Sequence, residues 1–352
     1  MSVSTEPSVS IIIPAYNEEE NIEAVVGGFL ASGYPNILEI LVVDGNSTDK
    51  TAAKVAELSS LYSRVRLLHN PFRIQSAALN IGLDACQGDV FLRADAHCRY
   101  APDYVEKCVN TLLTTKAINV GGAQRFVAEE KFQAGVALAA NSLLGNGGAK
   151  YRNPQYDGYV DTVFLGCMWK NTLMNVRGYS NQITNEDAEL NQRLLEKDAE
   201  AIYVSSDIKV WYYPRRTWIS LYVQYFKYGR GRFLTTTKHT KNPQIRGKLP
   251  FLFITCTVVF LGLDLFLPTI HLHMERLVIL GVIAVLAESL RVNLKLNGNF
   301  LKEVWRGNEK SPPSLFERWL SCAIVIMTLP VAHFSGYGYQ LFRHKILKIS
   351  DW

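Results

Sequence analysis

The first hundred residues alternate between apolar runs typical of strands and amphipathic segments typical of helices. This alternation constrains the fold more than any other feature of the sequence. Strands that alternate with helices form parallel sheets covered by helices. The chain is therefore predicted to begin with an α/β domain built on a mostly parallel, Rossmann-like sheet. The predicted strands are 9–13, 38–43, 65–68 and 90–92, and the predicted helices are 18–30, a helix capped by Ser47 or Thr48 that ends at 61, and 75–85.

Carboxylates, rather than glycines, follow the first two predicted strands. Pro14-Ala15-Tyr16-Asn17-Glu18 stands where a dinucleotide-binding loop would have G-x-G-x-x-G, so an NAD-type fold is disfavoured. Ligands of α/β sheets bind beyond the carboxyl ends of the strands. There Glu18 and Asp44 would accept hydrogen bonds from ribose hydroxyls or a base N–H. An Asp-Gly turn shaped by Asp44 explains the same local sequence equally well.

The fourth predicted strand ends in two potential metal ligands, Asp95 and His97. Side chains two residues apart on an extended backbone lie on one face. A carboxylate and an imidazole suit a divalent cation such as Mn²⁺ or Mg²⁺. Such a cation holds a diphosphate and neutralises its charge as a leaving group. A strand followed by a polar turn would give the same local pattern.

A second acidic motif, Asn185-Glu186-Asp187, precedes an amphipathic segment in which Leu190 and Leu194 are one helical turn apart. Carboxylates at a helix N-terminus are stabilised in their ionised form. The motif is therefore either an acidic first turn or the source of a general base, with Asp187 as the candidate and Glu186 in a supporting or solvated position. Two short strands, 202–205 and 208–212, are predicted after this helix.

Charge and cysteine content exclude several classes of function. The 352 residues carry a net charge of +5, and most of the basic excess lies after residue 200. This pattern favours a membrane surface or an anionic ligand over nucleic acid. The six cysteines form no C-x-x-C pair, which favours a reduced, cytosolic setting. The first residues lack the basic and apolar regions of a signal peptide.

The C-terminal third contains three apolar stretches, 249–270, 277–292 and 320–342, each approaching the length that spans a bilayer. Cations before the first stretch and after the second place both sides in the cytoplasm, so these two stretches form a hairpin. The third stretch either spans the membrane or is re-entrant or interfacial. Buried core helices of a soluble domain are the alternative for all three.

A basic and aromatic segment beginning near residue 215 precedes these stretches and suits an interfacial helix at an anionic membrane. Lys227, Arg230 and Arg232 in this segment would contact the diphosphate of a donor or of a lipid-linked acceptor. A solvated basic face is the alternative.

In order, the motifs resemble those of family 2 glycosyltransferases with the GT-A fold, and of their ExoA-type subgroup in exopolysaccharide synthesis. The matching segments are VSIIIPAYNE, VVDGNSTD, Asn80-Ile81-Gly82, Asp95-Ala96-His97 at the place of D-x-D, and Glu186-Asp187; the likeness covers about 8–235. His97 replaces the last aspartate of D-x-D.

The resemblance implies an inverting transfer of a sugar, glucose being the expected one, from a UDP-sugar to a polyprenyl-diphosphate-linked saccharide. It implies a GT-A domain at 1–235, a membrane region at 236–352, and work on the cytoplasmic face of the inner or plasma membrane. Asp187 would be the general base, and Asp95 and His97 would be the ligands of Mn²⁺ or Mg²⁺. The candidate donor-binding residues are Pro14, Tyr16, Glu18, Asp44, Gln75, Asp95, Lys227, Arg230 and Arg232.

Two other functions fit the same sequence. One is transfer of a sugar to polyprenyl phosphate itself, where the acceptor is already anionic and hardly needs a base. The other is a non-catalytic membrane subunit that binds a nucleotide sugar within a polysaccharide assembly complex.

Overall fold

The computed structural model describes residues 6–146, 148–238, 248–266, 273–307 and 311–349. Contacts divide the chain into two compact units. The first unit contains residues 1–125 and 150–212, and the second contains residues 126–149 and 213–352. The second unit thus combines a segment from within the predicted domain 1–235 with the C-terminal helices. The predicted domain limits, 1–235 and 236–352, remain a prediction. The two units are defined by which residues contact each other, so segments distant in sequence can belong to one unit.

In the described part of the chain, the strands form one nine-stranded sheet. They are β1 (Val9–Ala15), β2 (Ile37–Asp44), β3 (Val65–His69), β4 (Val90–Arg93), β5 (Cys98–Tyr100), β6 (Asn119–Phe126), β7 (Gly158–Tyr159), β8 (Phe164–Trp169) and β9 (Ile202–Tyr212). Their spatial order is β3-β2-β1-β4-β8-β6-β9-β5, with β7 beside β9. The first four strands in this order are parallel, whereas β8 is antiparallel to β4 and to β6. The predicted α/β class with a Rossmann-like parallel half is confirmed.

The helices surround this sheet or form the second unit. In chain order they are α1 (Ile22–Leu30), α2 (Thr51–Leu61), α3 (Gln75–Ala85), α4 (Tyr104–Thr114), α5 (Lys131–Ala140), α6 (Leu143–Asn146), α7 (Lys170–Asn175), α8 (Glu186–Leu195), α9 (Trp218–Lys238), α10 (Leu249–Phe266), α11 (Met274–Leu296), α12 (Phe300–Glu303) and α13 (Leu315–Lys345).

The core of the first unit forms around β1, which lies between two other parallel strands. Ile11, Ile12 and Ile13 are fully buried, as expected for a strand that is covered on both faces. Gly82 of α3 lies so close to β1 that a Cβ atom there would be 2.5 Å from Cγ2 of Ile12. The absence of a side chain at Gly82 therefore lets α3 pack directly on β1.

Two local predictions are wrong. Neither Ser47 nor Thr48 caps α2: the Ser47 hydroxyl accepts a hydrogen bond from Asn17 N (2.9 Å), and Thr48 N donates to Asn17 Oδ1 (2.8 Å). These residues instead join the loops after β1 and β2. The two strands predicted at 202–205 and 208–212 are one continuous strand, β9, which pairs with β7 at Tyr203 and Val204 and with β5 from Val210 to Tyr212.

The second unit contains the helices that match the predicted apolar stretches. Met274–Glu303 and Leu315–Lys345 are each long and apolar enough to cross a membrane, whereas Leu249–Asp264 is a shorter apolar helix. Residues 267–270 of the first predicted stretch lie outside the described residues. Large apolar side chains on these helices are exposed, including Phe253, Ile279 and Phe316. Length, composition and exposure together indicate membrane association.

Candidate active site

The carboxyl ends of three neighbouring parallel strands lie at one edge of the sheet. Ala15 at the end of β1 pairs with Asp44 at the end of β2, and Ile12 of β1 pairs with Arg93 at the end of β4. Asp95 follows Arg93 by two residues. The structure therefore brings the predicted donor-side residues of β1, β2 and β4 to the edge at which α/β proteins bind ligands.

Asp44 is buried at this edge, with only 6% of its surface exposed. Its Oδ2 accepts a hydrogen bond from Ser47 N at 3.1 Å, as the predicted Asp-Gly turn requires. Its Oδ1 is buried and has no hydrogen-bond partner among the described residues. Buried polar atoms are rarely left without a partner unless a ligand, ion or water supplies one. Asp44 therefore fits both interpretations: its Oδ2 atom shapes the turn, and its Oδ1 atom is available to a ligand.

Tyr16 lies beside Asp44, immediately after β1. The Tyr16 side chain is about half exposed, and Pro14 before it pairs with Val43 inside the sheet. A Cβ atom on Gly45 would lie 3.3 Å from Ala15 O and 3.6 Å from the Tyr16 side chain. The glycine lets the turn after β2 approach Tyr16 closely, so a half-exposed ring lies against the turn that follows Asp44.

Glu18 and His97, which the sequence assigned to different roles, are in direct contact. The His97 Nδ1 atom lies 3.2 Å from Glu18 Oε1, and the His97 ring packs edge-on against Tyr212 with centroids 5.4 Å apart. The other oxygen of Glu18 accepts a hydrogen bond from Asn21. The His97 Nε2 atom is directed away from the Nδ1 contact and is the ring nitrogen left for a ligand.

Asp95 is held from two sides. Gln75, the first residue of α3, donates from Nε2 to Asp95 Oδ1 at 3.2 Å, and Arg93 Nε donates to the same oxygen at 3.3 Å. Asp95 N donates to the Tyr100 hydroxyl, which itself donates to Asp95 O. Asp95 Oδ2 accepts no hydrogen bond from the described residues. One oxygen thus fixes the carboxylate, and the other remains for a ligand.

Arg93 connects the two acidic motifs, and sequence reasoning missed it. Its guanidinium donates from Nε to Asp95 and from Nη1 to Glu186 Oε1, the latter at 3.1 Å. All three side chains are at most 10% exposed. Burial alone would lower the pKa of Arg93, but the two carboxylates outweigh burial and raise it. The sequence feature that could have indicated its role is a single cation at the end of the apolar strand Val90–Arg93, because buried arginines are almost always paired with an acidic group.

Glu186 and Asp187 begin α8 after Asn185, whose backbone is left-handed (φ 60°). Glu186 is buried, so it is a supporting residue and not a solvated one. Burial raises the pKa of Glu186 to about 7, with Arg93 opposing and Asp187 adding to the increase. Asp187 is only partly buried, and its Oδ1 accepts a hydrogen bond from Ala188 N. Of the two carboxylates, Asp187 is therefore the one open to an acceptor.

The described residues contain no group of three or more His, Cys, Asp or Glu side chains that could enclose a metal ion. Mg²⁺ and similar cations in phosphate-transfer sites commonly use one or two carboxylates and complete their coordination with substrate phosphates and water. The oxygen left open on Asp95 and the Nε2 atom of His97 fit this kind of site. These residues suit a cation that arrives with a diphosphate better than one held by protein alone.

The predicted donor-binding residues Lys227, Arg230 and Arg232 belong to α9 in the second unit. Lys227 is exposed, whereas Arg230 donates from Nε to Gln340 Oε1 at 2.9 Å. Contact with a donor diphosphate remains a prediction for all three.

Comparison with known proteins gives related sequences and a similar fold. Residues 10–177 match the family model described as glycosyl transferase family 2. Over 249 residues the chain is 37% identical to the succinoglycan biosynthesis protein ExoA of Rhizobium meliloti, which covers 70% of this chain and 75% of that protein. A dolichyl N-acetyl-alpha-D-glucosaminyl phosphate 3-beta-D-2,3-diacetamido-2,3-dideoxy-beta-D-glucuronosyltransferase of Methanococcus voltae is 26% identical over 298 residues, 82% of this chain and 88% of its own length.

Among solved structures, the fold resembles the mannosyltransferase PcManGT from Pyrobaculum calidifontis in complex with GDP-Man and Mn²⁺. The TM-score is 0.61, and the match covers 93% of this chain and 87% of that one at 16% sequence identity. At this identity the likeness shows the fold alone, and it confirms the predicted GT-A architecture.

Proposed function

Because this chain belongs to glycosyltransferase family 2, we propose that it transfers a sugar from a UDP-sugar to a saccharide carried on a polyprenyl diphosphate. The chain is a glycosyltransferase of glycan biosynthesis; glucose as the sugar, the UDP donor and the lipid-linked acceptor are proposals. The names of two relatives, one in succinoglycan biosynthesis and one acting on a dolichyl-linked sugar, support this choice of substrates.

Donor binding is proposed at the edge formed by β1, β2 and β4. The unpartnered Oδ1 of Asp44 suits an N–H group of a base or a ribose hydroxyl, and the exposed ring of Tyr16 suits stacking on the base. Pro14 lies inside β1, the strand that positions Tyr16. Gln75 orients Asp95, and Glu18 orients His97, so both residues act on the donor through the side chains that they hold.

Asp95 and His97 are the proposed ligands of a divalent cation, Mn²⁺ or Mg²⁺, that binds together with the diphosphate. When bound, such a cation would neutralise the charge that develops on the leaving diphosphate. Gln75 and Glu18 hold the two ligands in place before the cation binds, as supporting hydrogen bonds commonly do around metal ligands.

The base is proposed to be Asp187. An acceptor hydroxyl oxygen forms a bond to the anomeric carbon while the bond from that carbon to the diphosphate oxygen breaks. The diphosphate leaves with the electron pair, and the hydroxyl proton passes to Asp187. Attack opposite the leaving group inverts the anomeric centre.

The observation that carries this proposal is the contact of Arg93 with both acidic motifs. Asp95, the proposed donor-side ligand, and Glu186, the neighbour of the proposed base, are bonded to one buried guanidinium. This shared contact supports the proposal that the donor side and the base face a common site. A chain in which these motifs lay far apart could not perform the transfer.

Membrane association through Met274–Glu303 and Leu315–Lys345 supports work on a lipid-linked acceptor at the bilayer surface. The catalytic unit is proposed to face the cytoplasm at the inner or plasma membrane, because cations flank the first two apolar stretches on that side. Lys227, Arg230 and Arg232 are proposed to bind a diphosphate, of either the donor or the lipid.

The test is a screen of nucleotide sugars against the purified full chain with Mn²⁺, with and without a lipid-linked saccharide. Asp187→Asn should lower kcat about 100-fold or more, because a general base typically contributes that much, while the donor KM stays nearly constant. Asp103→Asn, which changes an exposed aspartate in the same way, should retain activity.

Other outcomes would identify the alternatives. If Asp187→Asn keeps its activity and polyprenyl phosphate is the accepted substrate, the anionic acceptor needs no base and the chain glycosylates the lipid phosphate. If the wild-type chain binds a nucleotide sugar but neither transfers nor hydrolyses it, the chain is a binding subunit.

A further inference from the structure

A buried hydroxyl group of the first unit has no partner within the fold. Tyr179 lies between α7 and α8, and only 3% of its surface is exposed. Its hydroxyl oxygen is buried and makes no hydrogen bond to any described residue. Buried hydroxyl groups rarely lack a partner unless a ligand or water supplies one. A tyrosine hydroxyl both donates and accepts hydrogen bonds, so it suits a ligand that itself carries hydroxyl groups.

The backbone of Tyr179 is fixed by Asn80, the first residue of the Asn80-Ile81-Gly82 motif on α3. Asn80 donates from Nδ2 to Tyr179 O at 2.8 Å, and its Oδ1 atom accepts a hydrogen bond from Tyr179 N at 2.8 Å. Gly178 has a left-handed backbone (φ 60°), and a Cβ atom there would lie 2.5 Å from Asn80 Oδ1. The glycine therefore lets Asn80 reach the backbone of Tyr179 and hold it against α3.

The ring of Tyr179 belongs to the apolar core beside β4. Its centroid lies 6.2 Å from that of Phe91, which is two residues before Arg93 on this strand. Leu83 and Leu173 belong to the same buried cluster. Rotation of the ring about its own axis leaves the hydroxyl oxygen in place. The oxygen therefore cannot reach solvent unless the core unpacks, and any partner has to come to it.

The Tyr179 hydroxyl lies close enough to both acidic motifs for their charges to act on it. Burial is the main reason that its pKa is raised, and the positive charge of Arg93 opposes this increase. The carboxylates of Glu186, Asp187 and Asp95 raise the pKa further. The hydroxyl therefore keeps its proton at neutral pH and can donate a hydrogen bond at the place where the two motifs meet.

The sheet places this hydroxyl at the sugar end of a bound donor. The nucleoside is proposed to lie at Asp44, on β2, and β2 is two strands away from β4 in the sheet. Two strand spacings are about 10 Å. The anomeric carbon has to lie between the diphosphate at Asp95 and the base Asp187, the two groups whose charges act on Tyr179. The transferred sugar is thus the part of the donor nearest to this hydroxyl.

We propose that the Tyr179 hydroxyl donates a hydrogen bond to a hydroxyl group of the sugar that is transferred, and that Tyr179 thereby helps to select the donor. The inference rests on the proposed function for the position of the sugar. A site with a buried hydrogen-bonding group rejects an analogue that lacks the matching hydroxyl, because the buried group is then left unpaired. Tyr179 is therefore a specificity-determining residue of the donor site.

The experiment titrates the full chain with UDP-glucose and, separately, with UDP, both in the presence of Mn²⁺. Tyr179→Phe should raise the Kd for UDP-glucose about threefold to tenfold, because one hydrogen bond is lost. The Kd for UDP, which has no sugar, should not change. With the deoxy analogue of UDP-glucose that lacks the bonded hydroxyl, the wild type and Tyr179→Phe should bind equally.

The matched control is Tyr34→Phe, which removes the hydroxyl of another buried tyrosine. Tyr34 donates from its hydroxyl to Pro7 O at 2.7 Å, just before the start of β1 and so at the opposite edge of the sheet. Tyr34→Phe should lower the urea midpoint of unfolding and leave both affinities unchanged. Tyr179→Phe should not lower this midpoint, since its hydroxyl has no hydrogen bond within the described residues to lose.

Equal losses of UDP and UDP-glucose affinity in Tyr179→Phe would show that the hydroxyl does not bind the sugar, and a lowered urea midpoint with unchanged affinities would assign it to the fold. Either result overturns the inference. Sugar transfer measured in the same preparations separates it from the proposed function. A selective loss of UDP-glucose binding in a chain that transfers no sugar would support the role of Tyr179 and contradict only the proposed function. Unchanged UDP-glucose binding by Tyr179→Phe in a chain that transfers glucose would contradict only the role of Tyr179.

Discussion

Arginine has opposite surroundings in the two units of the molecule. In the first unit, Arg93 is buried and bonded to two carboxylates of the same chain, Asp95 and Glu186. In the second unit, the guanidinium groups of Arg230 and Arg343 lie over one aromatic ring, that of Tyr339, and Arg230 also donates to Gln340. A buried charge must be compensated by opposite charge within the fold, whereas a partly exposed cation can be held by an aromatic ring. The first arrangement fixes the geometry of the candidate active site, and the second helps to hold α9 against α13.

The largest expected effect comes from breaking the buried ion pairs of the first unit. Arg93→Met leaves two buried carboxylates without a cation, and removing one partner of such a pair typically costs about 3–5 kcal/mol. We expect the free energy of unfolding of the full chain to fall by about this amount in urea titrations, together with loss of activity. Arg64→Met, an exposed arginine, should change stability by less than about 0.5 kcal/mol.

Combining substitutions sharpens this test. Arg93→Met with Glu186→Gln removes a buried charge along with its partner, so the double variant should be more stable than the sum of the two single changes predicts. Strict additivity would contradict the view that Arg93 acts by compensating Glu186.

A smaller effect concerns how the free energy of unfolding depends on pH through the titration of Glu186. Because the native pKa is raised from about 4.5 to about 7, the folded state binds a proton more tightly than the unfolded state does. The protonated Glu186 therefore stabilises the fold at low pH. As the pH rises from about 4.5 to 7, this contribution is lost and the free energy of unfolding falls by about 3 kcal/mol.

Glu186→Gln removes this titration, so unfolding free energies measured across that pH range should fall less steeply in the variant than in the wild type. Asp187→Asn should leave most of the slope in place. Parallel curves for the wild type and Glu186→Gln would show that another group controls this pH range.

The smallest expected effect tests the close packing of α13 on α9 in the second unit. Gly336→Ala places a methyl group against Phe226 O and should cost about 1–3 kcal/mol, as overpacking usually does. Gly338→Ala is the matched control, because its Cβ atom would meet only Cε2 of Phe251 at an ordinary 3.5 Å.

Thermal unfolding of both variants measures the difference in stability. Equal melting temperatures for the two alanine variants would mean that α9 and α13 tolerate separation.

Local sequence was sufficient for the parallel half of the sheet and for the residues at its edge. Apolar β-branched runs predicted β1 to β4, and the polar residues after them, Asp44 and Asp95, lie where parallel topology requires. The second half of the sheet could not be predicted in this way. The antiparallel strand β8 lies between β4 and β6 because residues far apart in sequence pair with each other. No periodicity within a short segment encodes such pairing.

The sequence by itself determined which chemical groups are present: the strand-end carboxylates, the acidic start of α8 and the basic, acid-free α9. Tertiary structure alone decided their partners. It joined Asp95 to Glu186 through Arg93, placed Glu18 on His97, and brought Arg343 to Arg230 across Tyr339. The physical reason is that burial and charge compensation arise from contacts between distant segments, whereas composition and periodicity report only on each segment's own neighbours.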